Sequence, residues 1–244
     1  MEKIKLQKYF TDCNVMSRRA AEREIELGTV TVNGQTASIG DRIDPDCDTV
    51  RWNGKVISPA LGGHTYIALN KPLGYVTTMS DEKGRKTAAE LVSDLGKRVY
   101  PVCRLEMYSE GLLLFTDDGE LANRLTHPSH DFSKKYLVKV KGACTEEDIK
   151  KLLSPMELDG YKLRPIKAKL IKSGEQDREG NVYSTLSIIL YEGRNRQIRR
   201  MCEKCGLAVM RLRRVSVGEI KLGDLPLGKW RHLTEKEIQY LKEQ

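Results

Sequence analysis

Eight cationic side chains crowd into residues 192–214 against two acidic ones, and seven of the eight are arginine. They are Arg194, Arg196, Arg199, Arg200, Lys204, Arg211, Arg213 and Arg214, facing Glu192 and Glu203. A guanidinium presents a planar fork of donors that fits phosphate and stacks on bases, which a hydrated ammonium does less well. A second excess lies in residues 1–23, where six basic groups meet three acidic ones and Arg18-Arg19 follow Ser17. These two places carry most of the net charge of +8. Charge concentrated in this way suits an anionic polymer, and the arginine bias favours nucleic acid over a merely solvated face.

Other chemistry is weakly signalled. Cys202-Glu203-Lys204-Cys205 has the spacing of a metal or redox pair, but no second such pair and no spaced histidines accompany it. Two helix-borne, partly buried thiols are the simpler reading, and the six scattered cysteines read as reduced. The histidines are His64, His127, His130 and His232; His127-Pro128-Ser129-His130 reads as a loop, and no serine or cysteine has a triad setting. Neither a Walker loop nor Gly-x-Gly-x-x-Gly occurs. No metal and no cofactor are expected. No run approaches the roughly 18 apolar residues of a membrane span, and the start, Met1-Glu2-Lys3-Ile4-Lys5, lacks the layout of a secretion signal. A cytoplasmic monomer with no membrane partner is the expectation.

The elements that must position the arginines divide into two groups. With 244 residues there is room for a large domain and a small one. Residues 1–58 read as the small unit. Ser17 is a fitting N-cap for a helix over 18–27, with Gly28 as its terminator. A strand over 29–32 runs into Asn33-Gly34, a strong hairpin signal, and the device recurs at Asn53-Gly54 between strands over 49–52 and 55–57. Residues 59–64 read as a linker. From 65 to 244 strands dominate, over 66–69, 111–116, 136–140, 164–170, 183–190 and 210–217. Helices are predicted over 86–95, 120–125, 145–153 and 195–205. Strands and helices without regular βαβ alternation predict an α+β domain on a mixed sheet.

Several stretches, taken in order, resemble one family. Ser17-Arg18-Arg19-Ala20-Ala21-Glu22 and Leu27-Gly28-Thr29-Val30-Thr31-Val32-Asn33-Gly34 are similar to the small RNA-binding module first seen in ribosomal protein S-four. Pro101-Val102-Cys103-Arg104-Leu105-Glu106 and the following residues to Thr116 resemble the signature loop of the RsuA-like ribosomal-RNA pseudouridine synthases. Three further stretches fit the same family: Tyr66 to Gly74, Lys135-Tyr136-Leu137-Val138, and Glu192-Gly193-Arg194-Asn195-Arg196-Gln197-Ile198-Arg199-Arg200-Met201. The resemblance implies a largely antiparallel mixed sheet with flanking helices. The implied activity is cofactor-free isomerisation of uridine in ribosomal RNA or a ribosomal assembly intermediate.

The same resemblance assigns roles. Glu106 stands where the family has its catalytic aspartate, Arg104 fills the gap left by the flipped base, Tyr136 stacks on that base, and Arg199 pairs with the carboxylate. RNA contacts are implied for Arg18, Arg19, Lys71, Arg194, Asn195, Arg196, Gln197 and Arg200. Two positions depart from the pattern: Glu106 replaces aspartate, and Cys103 replaces a usual glycine. Glutamate carries its carboxylate roughly 1.5 Å further, a distance at which misplacement is costly. The added Cβ at Cys103 would crowd a turn where glycine uses a left-handed conformation. Two readings therefore stand: an isomerase that works through Glu106, or a ribosomal-RNA-binding or ribosome-assembly factor that keeps the scaffold without turnover.

Overall fold

The computed structural model describes residues 3–59, 62–126 and 132–243. Ala60 and Leu61 of the expected linker, and the stretch His127-Pro128-Ser129-His130, lie outside the described residues. The chain forms two compact units: Met1–Thr65 with Gly96–Val99 and Asp117–Glu120, and Tyr66–Leu95, Tyr100–Thr116 and Leu121–Gln244.

In the first unit, β1 (Ile4–Lys5) leads into α1 (Leu6–Asp12) and α2 (Arg18–Glu26). Ser17 caps α2 by accepting from the Ala20 amide at 3.2 Å. Ala21 and Ile25, one turn apart, face inward and pack with Leu6, Phe10 and Val30. Short strands follow: β2 (Val30–Val32), β3 (Gln35–Thr36), β4 (Arg42–Ile43), β5 (Val50–Trp52) and β6 (Lys55–Ile57). Both hairpin turns have two left-handed central residues, Asn33 and Gly34 at φ 50° and 83°, Asn53 and Gly54 at 48° and 77°. That backbone matches the twist of the flanking strands, which is why Asn-Gly is selected there.

The second unit is built on one large sheet. Its strands are β7 (Tyr66–Lys71), β8 (Tyr100–Val102), β9 (Glu110–Thr116) and β10 (Lys134–Lys141); after a small hairpin of β11 (Glu157–Leu158) and β12 (Tyr161–Lys162) come β13 (Lys167–Gln176), β14 (Val182–Leu190), β15 (Val209–Val217), β16 (Ile220–Lys221) and β17 (Trp230–His232). The main path runs β13-β14-β10-β15-β9-β7-β17, with β8 on β9 and β16 on β15. Its pairs are antiparallel except β9 with β15, which are parallel. The expected α+β architecture is what forms, and its helices are α3 (Gly119–Thr126), α4 (Glu146–Leu153), α5 (Gln197–Lys204) and α6 (Glu235–Glu243).

Alternation explains which face of this sheet is sealed. Tyr136, Val138 and Val140 of β10 and Leu186, Ile188 and Leu190 of β14 are buried, while the residues between them are exposed or only half-buried, apart from Ser187. α4 packs against β13 and α5 against β15, offering the buried Ile149 and Leu152, and Ile198, Met201 and Cys202. Thr145 and Asp148 close a capping box at the start of α4. Burial pushes the Cys202 thiol up to about 12, so this cysteine behaves as a packed apolar group.

Two predicted elements moved. The strand expected from 164 begins at Lys167, because Pro165 has no amide to donate and the Arg164 amide donates to Glu192 Oε1 at 3.0 Å. The helix expected over 86–95 shortens to a 3₁₀ helix at Glu90–Leu95. Its first residues pair elsewhere: the Ala88 amide donates to Val76 O at 2.8 Å, and Thr87 donates through both its amide and its hydroxyl to the Glu90 carboxylate.

Candidate active site

The loop before β9 holds Glu106 and is fixed from several sides. Thr77 Oγ1 donates to Leu105 O at 2.6 Å, the Gly74 amide donates to Met107 O at 2.8 Å, and the Ser109 amide donates to Glu106 O at 3.0 Å. Arg199 Nη2 donates to Tyr108 O at 2.7 Å. The Glu106 carboxylate then meets two cations: Oε2 lies 3.1 Å from Arg196 Nη1 and 3.4 Å from Arg199 Nε. An acid flanked by two guanidinium groups is held in one orientation.

Arg196 reaches the acid because the backbone turns sharply before α5. Its φ and ψ are 50° and 30°, a left-handed N-cap position. Gln197 stabilises that turn from below. Its Oε1 accepts from the Arg194 amide at 3.0 Å and its Nε2 donates to Glu192 Oε1 at 2.9 Å. The side chain is buried, so the implied RNA contact of Gln197 is corrected to an internal brace. Arg194, by contrast, is exposed and lays its guanidinium 3.3 Å over the centre of the Tyr161 ring.

Glu106, Arg104, Tyr136, Arg194, Asn195 and Arg196 line one cavity of about 560 Å³. That volume lies within the range of ordinary small-ligand sites. Arg104 is exposed at its wall, and Tyr136 contributes from the sheet with its ring buried. Arg200 points elsewhere, forming two bonds of 2.8 and 2.6 Å to the Asp159 carboxylate. Cys103 also lines the cavity and adopts φ 65°, the left-handed conformation that a glycine would take more cheaply. In the first unit, Arg18 and Arg19 are exposed in the first turn of α2. Glu22, one turn on, accepts from Gln7 Nε2 instead of pairing with them.

Lys71 is the second correction. It was expected to touch RNA, yet it is 0% exposed and its Nζ donates to Pro72 O at 2.9 Å. Burial pushes its ammonium down to about 8, Arg214 adds to the effect, and Glu110 opposes it. Lys71 follows five buried residues of β7 on a strand sealed along its whole length, which a stretch-by-stretch comparison does not reveal.

Arg214 went unassigned in the sequence. It is 1% exposed, donates from Nε to Leu112 O at 2.7 Å and from Nη1 to Arg104 O at 3.4 Å. Its Nη2 has no hydrogen-bond partner among the described residues, and the residue lines the cavity. A buried donor left open is costly unless something fills it. The available signal was alternation: Leu212 and Arg214 share the face that the strand buries. Lys134, also at the wall, is held below the usual lysine range by burial, with Cys103 opposing and Arg214 adding.

A carboxylate paired with two arginines, a buried aromatic ring and an unpartnered guanidinium donor thus share one cavity. The chain belongs to the RNA pseudouridylate synthases: the model of that family matches residues 65–204. Among its relatives, the ribosomal large subunit pseudouridine synthase B of Bacillus subtilis strain 168 is 36% identical over 98% of this chain and 95% of its own length. The dual-specificity RNA pseudouridine synthase RluF of Escherichia coli K12 is 38% identical over 96% of this chain and 77% of its own. A crystal structure of a pseudouridylate synthase superposes with a TM-score of 0.68 at 26% identity, covering 98% of this chain and 99% of that one.

Proposed function

We propose that this protein isomerises a specific uridine of ribosomal RNA to pseudouridine, with Glu106 as its catalytic carboxylate. The observation that carries the reading is the pairing of Glu106 Oε2 with Arg196 and Arg199 at the cavity that Tyr136 lines. The reaction breaks the bond from C1′ to N1, turns the uracil, and joins C1′ to C5. The C5 proton leaves and N1 ends protonated, so no atom is gained overall.

Each step has a group suited to it. The target nucleotide leaves its stack at a cost of a few kcal/mol, and Arg104, exposed at the rim, takes the vacated place. The Tyr136 ring offers a flat face to the everted base. Glu106 acts on the sugar as nucleophile or base, and its two arginines hold it oriented. Arg214 Nη2 supplies a donor to a carbonyl of the turning base. Arg18, Arg19, Arg194 and Asn195 grip the RNA mainly through phosphates, the first two from an S-four-like module spanning 1–58. The working form is a cytoplasmic monomer acting on ribosomal RNA or an assembly intermediate. Among the described residues no helix is long and apolar enough to cross a membrane.

The test is pseudouridine mapping in transcribed ribosomal RNA. Glu106→Ala and Glu106→Gln lower conversion by about a thousandfold or more, since acid–base or covalent catalysis by one side chain contributes on that order, and both bind RNA as the wild type does. Wild-type-like conversion by Glu106→Ala would refute the assignment. Binding without conversion by the wild type would select the assembly-factor reading.

A further inference from the structure

The sheet has a second face, and the catalytic site does not use it. Tyr136, Leu190, Leu212 and Arg214 reach the cavity from one side of β10, β14 and β15. Strand alternation sends the residues between them to the other side. There β13 presents Lys167, Lys169 and Lys172, in register with Ile189, Ser187 and Thr185 of β14. Those three pair in turn with Lys135, Leu137 and Lys139 of β10, and β10 ends in Lys141. Beyond them, Leu137 and Lys139 pair with Arg213 and Arg211 of β15.

Eight cations thus lie on three of these four adjacent strands, with the uncharged Ile189, Ser187 and Thr185 of β14 between the rows of β13 and β10. Two have carboxylate partners: Lys172 with Glu175 at 3.0 Å and Arg211 with Glu110 at 2.6 Å. The other six have none within salt-bridge reach among the described residues. Lys135, Lys141, Lys167 and Lys169 are exposed, and Lys139 stands 3.9 Å over the Tyr183 ring. Toward the β13–β14 turn Asp177 dilutes the charge; hydrogen bonds from Asn181 hold its pKa below the usual aspartate value, with Lys139 a smaller contributor. The uncompensated end is therefore the one with Lys135, Lys167 and Lys169.

We propose that this face is a second RNA-docking surface, which holds the phosphates of a duplex on the side of the sheet away from the catalytic cavity. Neighbouring strands stand about 4.8 Å apart, so the lysines of β13 and β10 form two rows about 10 Å apart across β14, with same-face residues about 6.7 Å apart along each strand. Such rows of cations neutralise phosphates without reading bases. The surface anchors a flanking helix of a large RNA while the cavity works on an everted nucleotide. It goes beyond the catalytic proposal and stands on separate residues.

The test uses a labelled 20-base-pair RNA duplex without a target site, titrated over a range of salt. Lys135→Gln, Lys167→Gln and Lys169→Gln, combined, replace only exposed side chains and leave the fold intact by circular dichroism. The plot of log affinity against log salt becomes shallower by about 3 for the triple variant, near one for each phosphate no longer neutralised. A control with Lys150→Gln, Lys151→Gln and Lys236→Gln, on α4 and α6, removes the same charge elsewhere and leaves the slope near that of the wild type. Equal slopes in the triple variant and the wild type would overturn the proposal. So would equal losses in both triple variants, or a loss confined to phosphatidylserine vesicles. Glu106→Ala keeps the wild-type slope, so the docking surface and the catalytic reading can fail separately.

Discussion

Replacing Lys71 by methionine removes a charge sealed beneath the active site, and the size of the effect follows from its burial. The lysine is 0% exposed and its pKa is pushed down from 10.5 to about 8. Between those two values the unfolded chain holds a proton that the folded chain has released. The unfolded state binds more protons there, so the stability of the wild type rises with pH. That gap corresponds to roughly 3 kcal/mol in total, of which about 2 kcal/mol falls between pH 7 and pH 9.5. Methionine fills a similar volume and titrates in neither state, and Glu110 keeps its bond to Arg211. Urea unfolding of both proteins at several pH values isolates this contribution, because every other group titrates alike in the pair. The wild type should gain about 2 kcal/mol on the variant from pH 7 to pH 9.5. A difference that stays flat across that range would refute the burial of a charge at position 71. RNA affinity is unchanged in the variant, since the side chain never reaches the surface.

Cys103→Gly alters stability by less than about 1 kcal/mol, relief of the left-handed backbone offsetting the lost packing and the added chain entropy. Cys103→Val, with a branched Cβ at φ 65°, loses about 2 kcal/mol or more in the same urea assay. Gly111→Ala is harsher: at φ 104° its new Cβ would run into the Arg214 carbonyl oxygen and approach the Arg214 nitrogen to 2.9 Å. A loss of about 3 kcal/mol is expected, or a drop of roughly 6–12 °C in Tm for a chain of this length, and an unshifted melting curve would contradict the close approach.

Legibility followed the range of the interactions. Ser17, Asn33-Gly34 and Asn53-Gly54 act on their own neighbours, and the structure uses them as the sequence suggested. Glu106, Arg199 and Tyr136 were brought together by resemblance, and they do line or brace one cavity. Residues whose roles depend on distant burial were misread or overlooked. Lys71 and Gln197 look like surface groups in a basic protein, but a sealed strand and an inward-facing first helical turn enclose them. Arg214 sits in Arg211-Leu212-Arg213-Arg214, where composition alone does not separate the cation that faces the cavity from those on the docking face. The C-terminal helix α6 was not among the predicted helices. It is held by Arg231 to Glu237 at 2.7 Å and by Leu241 in the core, both tertiary contacts.

The parallel junction of β9 and β15 rests on two register pairs, Arg213 with Glu110 and Arg214 with Gly111, whereas β10 and β14 share eight. Glu106 precedes the strand on one side of this narrow seam, and Tyr136, Arg199 and Arg214 belong to the other. During synthesis the acid emerges ninety residues before Arg196, so a nascent chain carries it for some time without either guanidinium. Closing this seam is what brings Glu106 within reach of Arg196 and Arg199.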